Sequence, residues 1–226
     1  MPTTTPLTDA IEALTTYSNT VTGASDTTLS EAVATLAAGY GGGGSSDVDY
    51  LLDLLACKIN PVDDSLITEF GDNILYQNKS ATSMRWRELT KVYGQNFRGC
   101  NNLKYAVFDK LTETTSDMIS YCSKLERLEF GTATTKLAIY TVENDTILDE
   151  IILSSPTVVQ LAHTRCFDNT PYKNGGTGGV IYVPQALISS YQTASNWSTV
   201  HGWGTITWTA IEGSYYETHH ADGSAV

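Results

Sequence analysis

The stretch "FRGCNNLKYAVF", residues 97–108, sets a cysteine beside two asparagines, just ahead of an alternating apolar run. Read singly, Cys100 is a candidate nucleophile, metal ligand or half of a disulfide. Spacing decides otherwise. Cys100 and Cys122 are 22 residues apart, Cys122 and Cys166 are 44 apart, and Asn144 stands midway between the latter two. The four positions read as one slot that recurs every 22 residues and accepts Cys or Asn.

A strand pattern keeps the same period. "LKYAVF" (103–108), "LERLEF" (125–130) and "LDEIIL" (148–153) share the form L-x-x-apolar-x-apolar, with leucine offsets of 22 and 23. "LTKVYG" (89–94) fits loosely before them, and "GVIYVP" (179–184) fits after them through Ile181 and Val183. The insertion "NTPYKNGGTGG" lengthens the last step to 30. A period in this range, with one strand and a Cys/Asn slot per unit, is the signature of a leucine-rich repeat. The spacing therefore predicts an α/β-type solenoid with parallel strands. Leu125, Leu128 and Phe130 should point inward, where only neighbouring units can bury them. Cys100, Cys122 and Cys166 should fill small apolar niches as weak S–H donors, and Asn144 should bond turn backbone.

These residues carry a resemblance. "FRGCNNLKYAVF" and "ISYCSKLERLEF" resemble BspA-like leucine-rich repeats, whose motif has an F-x-x-C-x-x-L core. "GGVIYVPQALISSYQTASNWSTV" is similar to the closing segment of such proteins from gut Firmicutes and their prophages. "TGASDTTLSEAVATLAAGYGGGG" is similar to the N-termini of phage and prophage structural proteins. "TVENDTILDEIIL" departs from the motif, lacking both the Cys and the aromatic three before it. The resemblance implies a binding or surface-display role.

Around the repeats the chain divides into three parts. Residues 1–45 read as two amphipathic helices and a Gly-rich linker, with Leu7, Ala10, Ile11, Leu14, Tyr17 and Val21 as the first stripe and Thr28–Glu31 as a capping box. Such short helices need a partner, so this part is expected to dock or oligomerise. Residues 46–184 form the repeat domain, opened by a capping helix from Ser46 whose end holds Cys57. Residues 185–226 form a C-terminal cap and tail. Pro184 starts a helix with Ala186, Leu187 and Tyr191 inward. Trp197, Trp203 and Trp208 seal the stack or, alternatively, present a sugar platform. "TWTAIEGSYYETHHADGSAV" reads as an exposed strand and tail in which His219 and His220 are solvated.

Charge excludes some partners. The net charge is −12, which repels phosphate backbones and anionic lipid. No Lys or Arg precedes Lys58, and no segment reads as a secretory signal or membrane span, so the expectation is a soluble chain with no Sec route. The sequence holds no G-x-S-x-G, HExxH, P-loop or CxxC, and His163, read as the histidine nearest the core, has no acid or nucleophile near it in sequence. Asp63–Asp64 and Asp149–Glu150 read as solvated faces. No catalytic residue, metal ligand or cofactor is assigned.

The expectation is a non-enzymatic virion protein, a tail-fibre, baseplate or head-fibre component, made in the host cytoplasm and released by lysis. Its N-terminal helices would contact other virion proteins, with a homo-trimer favoured. Its repeats would bind a host surface protein or glycan. The ligand-binding candidates are the outward strand residues Lys104, Tyr105, Val107, Glu126, Arg127, Glu129, Asp149, Glu150 and Ile152. The alternatives are a structural decoration or connector protein, or a bacterial cell-surface adhesin.

Overall fold

The computed structural model describes residues 58–65, 67–173, 178–198 and 206–226. The helical readings of residues 1–57, the linker, Cys57, part of the insertion and Trp203 lie outside them.

Seven short strands stack side by side, all parallel, in one sheet. In stacking order they are β1 (Val62–Asp64), β3 (Ser83–Trp86), β5 (Tyr105–Phe108), β6 (Arg127–Phe130), β8 (Glu150–Leu153), β10 (Gly179–Val183) and β11 (Ile206–Ala210). A second, thinner wall is made of two parallel pairs, β2 (Glu69–Asp72) with β4 (Lys91–Tyr93), and β7 (Lys136–Leu137) with β9 (Gln160–Leu161). Each turn of the chain thus lays one strand in the main sheet and returns through the opposite wall. This is a parallel β-solenoid.

Alternation along each strand sets the layers, because successive side chains leave opposite faces of a sheet. Met84, Ala106, Leu128, Ile151 and Ile181 share one register and face inward, as do Trp86, Phe108, Phe130, Leu153 and Val183. Against them pack Leu75, Phe97, Ile119, Val142 and Phe167 from the opposing turns. Aromatic rings run through this core: Phe70 meets Trp86 at 4.9 Å between centroids, Phe97 meets Phe108 at 5.2 Å, and Phe108 stacks on Phe130 at 5.7 Å. Each coil buries the apolar row of its neighbour, which no coil does alone.

The structure corrects two repeat assignments. The turn before each strand closes with a backbone bond from Leu103 N to Cys100 O, Leu125 N to Cys122 O, Leu148 N to Asp145 O and Lys173 N to Thr170 O. The slot is therefore Cys100, Cys122, Asp145 and Thr170, not Asn144 and Cys166. The reason is backbone conformation. The residue before each slot takes a positive φ: Gly99 72°, Tyr121 61°, Asn144 63° and Asn169 57°. Asn tolerates the left-handed region better than most residues, so Asn144 serves there and the acid beside it enters the niche. Cys166 is buried one residue before Phe167, in the short 3₁₀ turn Thr164–Phe167.

The unit ahead of "LKYAVF" is also different. It is "ATSMRW" (81–86), with Ala81 buried where the others carry leucine, and "LTKVYG" supplies β4 in the opposite wall. Ala81 hid this unit from a leucine count.

At the far end, the single-turn helix α1 (Ile188–Thr193) buries Tyr191, while Ala186 is exposed, contrary to its expected inward position. Tyr191 stacks on Trp208 at 5.3 Å and meets Trp197 edge-on at 5.4 Å. Trp197 is 1 % exposed and donates its Nε1–H to Val159 O at 2.6 Å. These rings close the stack, with Trp197 fully buried and Trp208 partly buried.

Candidate functional site

The outward face of the main sheet is the expected binding face. Two rows of side chains leave it. One contains Ser83, Tyr105, Arg127, Glu150 and Val180, and the other contains Asp63, Arg85, Val107, Glu129, Ile152 and Tyr182. The structure treats the two rows differently.

The first row remains partly open to solvent. Lys104 and Asp149 are exposed, and Tyr105, Glu126, Arg127 and Glu150 are half-buried. The Arg127 guanidinium lies over the Tyr105 ring at 5.2 Å, and its Nε pairs with Glu150 Oε2 at 3.0 Å. Tyr105 OH donates to Glu126 Oε2 at 3.4 Å, and Lys104 Nζ lies 3.8 Å from Glu126 Oε1. The result is a polar ledge over two successive coils, with its cations already engaged.

The second row is covered. Val107 is 0 % exposed, Ile152 1 % and Glu129 5 %, although all three belong to the set expected to face outward. They do leave the outer face, but residues 211–226 fold back over them. The tail reading as exposed and solvated is thus overturned, and β11 is a full member of the main sheet rather than a separate exposed strand.

This strap is built from short local devices. Ile211 N–H donates to Val183 O at 3.0 Å, and Gly213 takes a φ of 78° to turn the chain. Ser214 caps a 3₁₀ turn, Tyr215–Glu217, by accepting from Tyr216 N. Beyond it His220 N–H donates to Ser224 O at 2.8 Å, Val226 N–H donates to Thr218 O at 3.0 Å, and Gly223 turns at φ 87°. The strap crosses successive strands. Tyr216 and Ala221 pack with Val107 and Ile152, and Tyr182 and Ile211 flank them.

Its polar anchors are specific. Tyr216 OH donates to Glu150 Oε2 at 2.5 Å, and Tyr182 OH donates to Glu150 Oε1 at 3.2 Å. Burial and the adjoining Glu150 carboxylate both push the Tyr216 hydroxyl far above the ordinary tyrosine value. Glu129 receives Ala221 N–H at 2.7 Å on Oε2, and His220 Nδ1 lies 2.8 Å from its Oε1. Arg85, 6 % exposed, is held by Asp109 Oδ2 at 3.0 Å and donates through Nη1 to Ser224 Oγ at 2.9 Å; its Nη2 lies 2.7 Å from His220 Nε2. Arginine has no acceptor, so the last contact requires a lone pair on His220 Nε2 and therefore the proton on Nδ1, facing Glu129. His220 is the residue that sequence reasoning missed. Its partners lie 91 and 135 positions away, and no local signal links them.

The cysteine niches match the structural reading of the thiols. Cys100, Cys122 and Cys166 are unpaired and buried. Cys100 Sγ donates to Leu75 O at 3.4 Å and Cys122 Sγ to Phe97 O at 3.2 Å. Burial raises the Cys122 thiol well above its usual value and raises Cys166 to about 12, so both stay protonated at neutral pH. Asp145 in the same slot accepts Cys122 N–H at 2.6 Å, and burial drives its carboxyl far above the ordinary range.

Other candidate groups are structural where they are described. Asp63 pairs with Arg87 at 2.6 Å, which holds its carboxyl below the usual value. Asp64, expected to be solvated, is buried and caps Ile67 N at 2.7 Å. His163 is exposed rather than near the core and accepts from Arg165 N at 3.1 Å. Among the described residues no group of three or more His, Cys, Asp or Glu is placed to hold a metal ion, and no helix is long and apolar enough to cross a membrane.

The geometry defines a class, a short parallel β-solenoid with one sheet face partly closed by residues 211–226. No protein-family model matches the chain, and no curated protein matches it significantly. Among solved structures the chain is similar to a leucine-rich repeat protein from Bacteroides ovatus, at 15% sequence identity and a TM-score of 0.39. The likeness covers 66% of this chain and 42% of that one, so the chain spans less than half of that protein's length.

Proposed function

We propose that this chain is a non-enzymatic binding protein that displays a leucine-rich-repeat solenoid for attachment to a host-cell surface protein or glycan. The observation that carries this reading is the ledge of Lys104, Tyr105, Glu126, Arg127 and Asp149. It presents aromatic, cationic and anionic groups on a rigid sheet whose interior is fully packed. Rigid repeat surfaces of this kind suit recognition of an extended partner. The placement on a bacteriophage particle, as a tail-fibre, baseplate or head-fibre component anchored through residues 1–45, is supported by the resemblance of the chain's head and closing segment to phage proteins.

Adsorption measurements test the reading. Purified protein is expected to bind host cells and to compete with particles for them. Tyr105→Ala combined with Arg127→Ala should abolish that binding while the thermal transition shifts by only a few degrees. Unchanged adsorption removes the ledge as the site. Sizing the chain with and without residues 1–45 tests the trimer, which should become a monomer.

A second reading is a structural spacer or connector. The strap favours it, since it withdraws Val107, Glu129 and Ile152 from any outside ligand. Variants that lose cell binding but still complete assembled particles would separate the two.

A further inference from the structure

The middle of the second row is buried in an unusual way. Of its four buried members two, Arg85 and Glu129, are residues that tolerate water well, beside the aliphatic Val107 and Ile152; Tyr182 at one end is half-buried and Asp63 at the other is exposed. The cover, residues 211–226, contributes no strand to the main sheet, so it can lift without breaking a strand pair of that sheet. Its apolar contact is small, confined to Tyr216 and Ala221 on Val107 and Ile152 with Tyr182 and Ile211 at the margin. Most of what holds it is polar, and the His220 ring makes two of those contacts, one to Glu129 on β6 and one to Arg85 on β3.

From this we infer that the C-terminal strap, residues 211–226, is a pH-sensitive latch over the outer sheet face, and that protonation of His220 at Nε2 opens it. In the closed form His220 Nε2 accepts from the Arg85 guanidinium at 2.7 Å. A second ring proton would set N–H against N–H at that distance. Arg85 cannot retreat easily, because Asp109 grips its Nε and Nη2 and Ser224 takes its Nη1. Glu129 acts in the other direction: its carboxylate faces Nδ1 at 2.8 Å and would hold an imidazolium. It already has that Nδ1 proton in the neutral ring, so the added proton brings no new bond there and destroys one on the other side.

The other charged and titratable groups around the latch are Asp63, Arg87, Asp109, Glu150, His219 and Asp222; Asp63 pairs with Arg87, and His219 stacks on Tyr215 with its Nδ1 at Thr218 Oγ1. Asp109, after β5, is engaged by Arg85. Asp222, in the strap, receives Ser224 N–H and Oγ–H. Glu150, on β8, receives Tyr182, Tyr216 and Arg127. None of them is hydrogen-bonded to His220 Nε2, whose partner is Arg85. The ring must then swing away, and with it go the Ala221 cap on Glu129 and the cover on Val107 and Ile152. Glu129 and Arg85, buried when shut, regain water when open, which lowers the cost of opening.

The consequence for binding rests on the sheet face being the attachment surface, as proposed above; the latch itself does not. The test therefore uses the full chain with no ligand. The protonation of His220 is followed by ¹⁵N shifts of its ring. The strap is followed by the methyl resonances of Val107, Ile152 and Ala221 in the presence of a neutral nitroxide, from about pH 8 to about pH 5. Closed methyls should be protected and, as Nε2 takes its proton, become as accessible as those of Val226. Leu125 and Leu128 in the core should stay protected throughout, which separates opening from unfolding. His220→Gln, whose amide can donate to Glu129 and accept from Arg85 without titrating, should stay shut across the range. A strap that stays shut after Nε2 is protonated, or opens before it, overturns the latch. So does a His220 that never protonates in this range, or an opening on acidification in the His220→Gln chain. A latch that works in a protein with no cell binding would leave the inference standing and sink only the attachment reading.

Discussion

Leu128 and Glu129 are neighbours on one strand, and both are nearly inaccessible to solvent, at 0 % and 5 %. They reach that state by different routes. Leu128 is buried by residues one coil away on either side, Ala106 and Ile151. Glu129 is buried by His220 and Ala221, more than ninety positions along the chain. The inner face is closed by repetition and the outer by a single terminal segment. Burial alone therefore says little about stability. The inner face should unfold only with the whole stack, and the outer should open by itself.

The largest effect should come from breaking the inner face. Phe108→Ala removes a ring that touches both Phe97 and Phe130 and should cost about 3–5 kcal/mol in denaturant unfolding, with loss of the whole transition rather than a local change. A cost below about 1 kcal/mol would mean that the coils are not coupled through these rings.

On the outer face, Glu129→Ala strips His220 and Ala221 N–H of their acceptor and should cost about 1–3 kcal/mol. The loss should appear mainly as faster hydrogen exchange at Ala221, with the amides of β5 and β6 little changed. Equal acceleration in the strands would erase the distinction between the two faces.

Asp145 tests the inner face through pH. Burial raises its carboxyl in the folded chain above the ordinary value of 3.8. The folded state thus holds the proton more tightly than the unfolded state. Its favourable contribution is complete below the ordinary carboxyl range and is lost as pH rises toward the folded value. Asp145→Asn should match the native chain at acid pH, exceed it at neutral pH and flatten the profile, as read by urea midpoints. At the small end, Lys110→Ala breaks an exposed pair with Glu88, 2.7 Å apart, and should change stability by less than about 1 kcal/mol.

The same comparison explains what could be read from the amino acids. The inner face was legible because its code is local and repeated. Leu103, Leu125 and Leu148 mark the turns, and the alternate residues after them mark the core. Counting failed where two residue types meet one need. Asn144 stood at the expected interval, yet it supplies a left-handed turn while Asp145 fills the niche. Ala81 disguised an additional coil because a methyl group suffices there. The outer face had no such code. Tyr105 and Arg127 stay partly accessible as the alternation implies, and Lys104, Glu126 and Asp149 just before the strands are also accessible, whereas Val107, Glu129 and Ile152 are not. What covers them is a tail of polar and aromatic residues that reads as solvated, and its bonds to Arg85 and Glu129 join partners too distant in sequence for any periodicity to announce.

The strap has one further consequence. It starts at the last strand of the sheet, meets Glu150 on β8 and Glu129 on β6, and ends with Ser224 on Arg85 of β3. Each coil inserted between those strands would carry Arg85 about 4.8 Å farther away. Solenoids readily gain and lose units by duplication, but this terminal segment works as a tape measure. It admits one number of coils between its two ends, and any lineage that changes that number must also recut the tape.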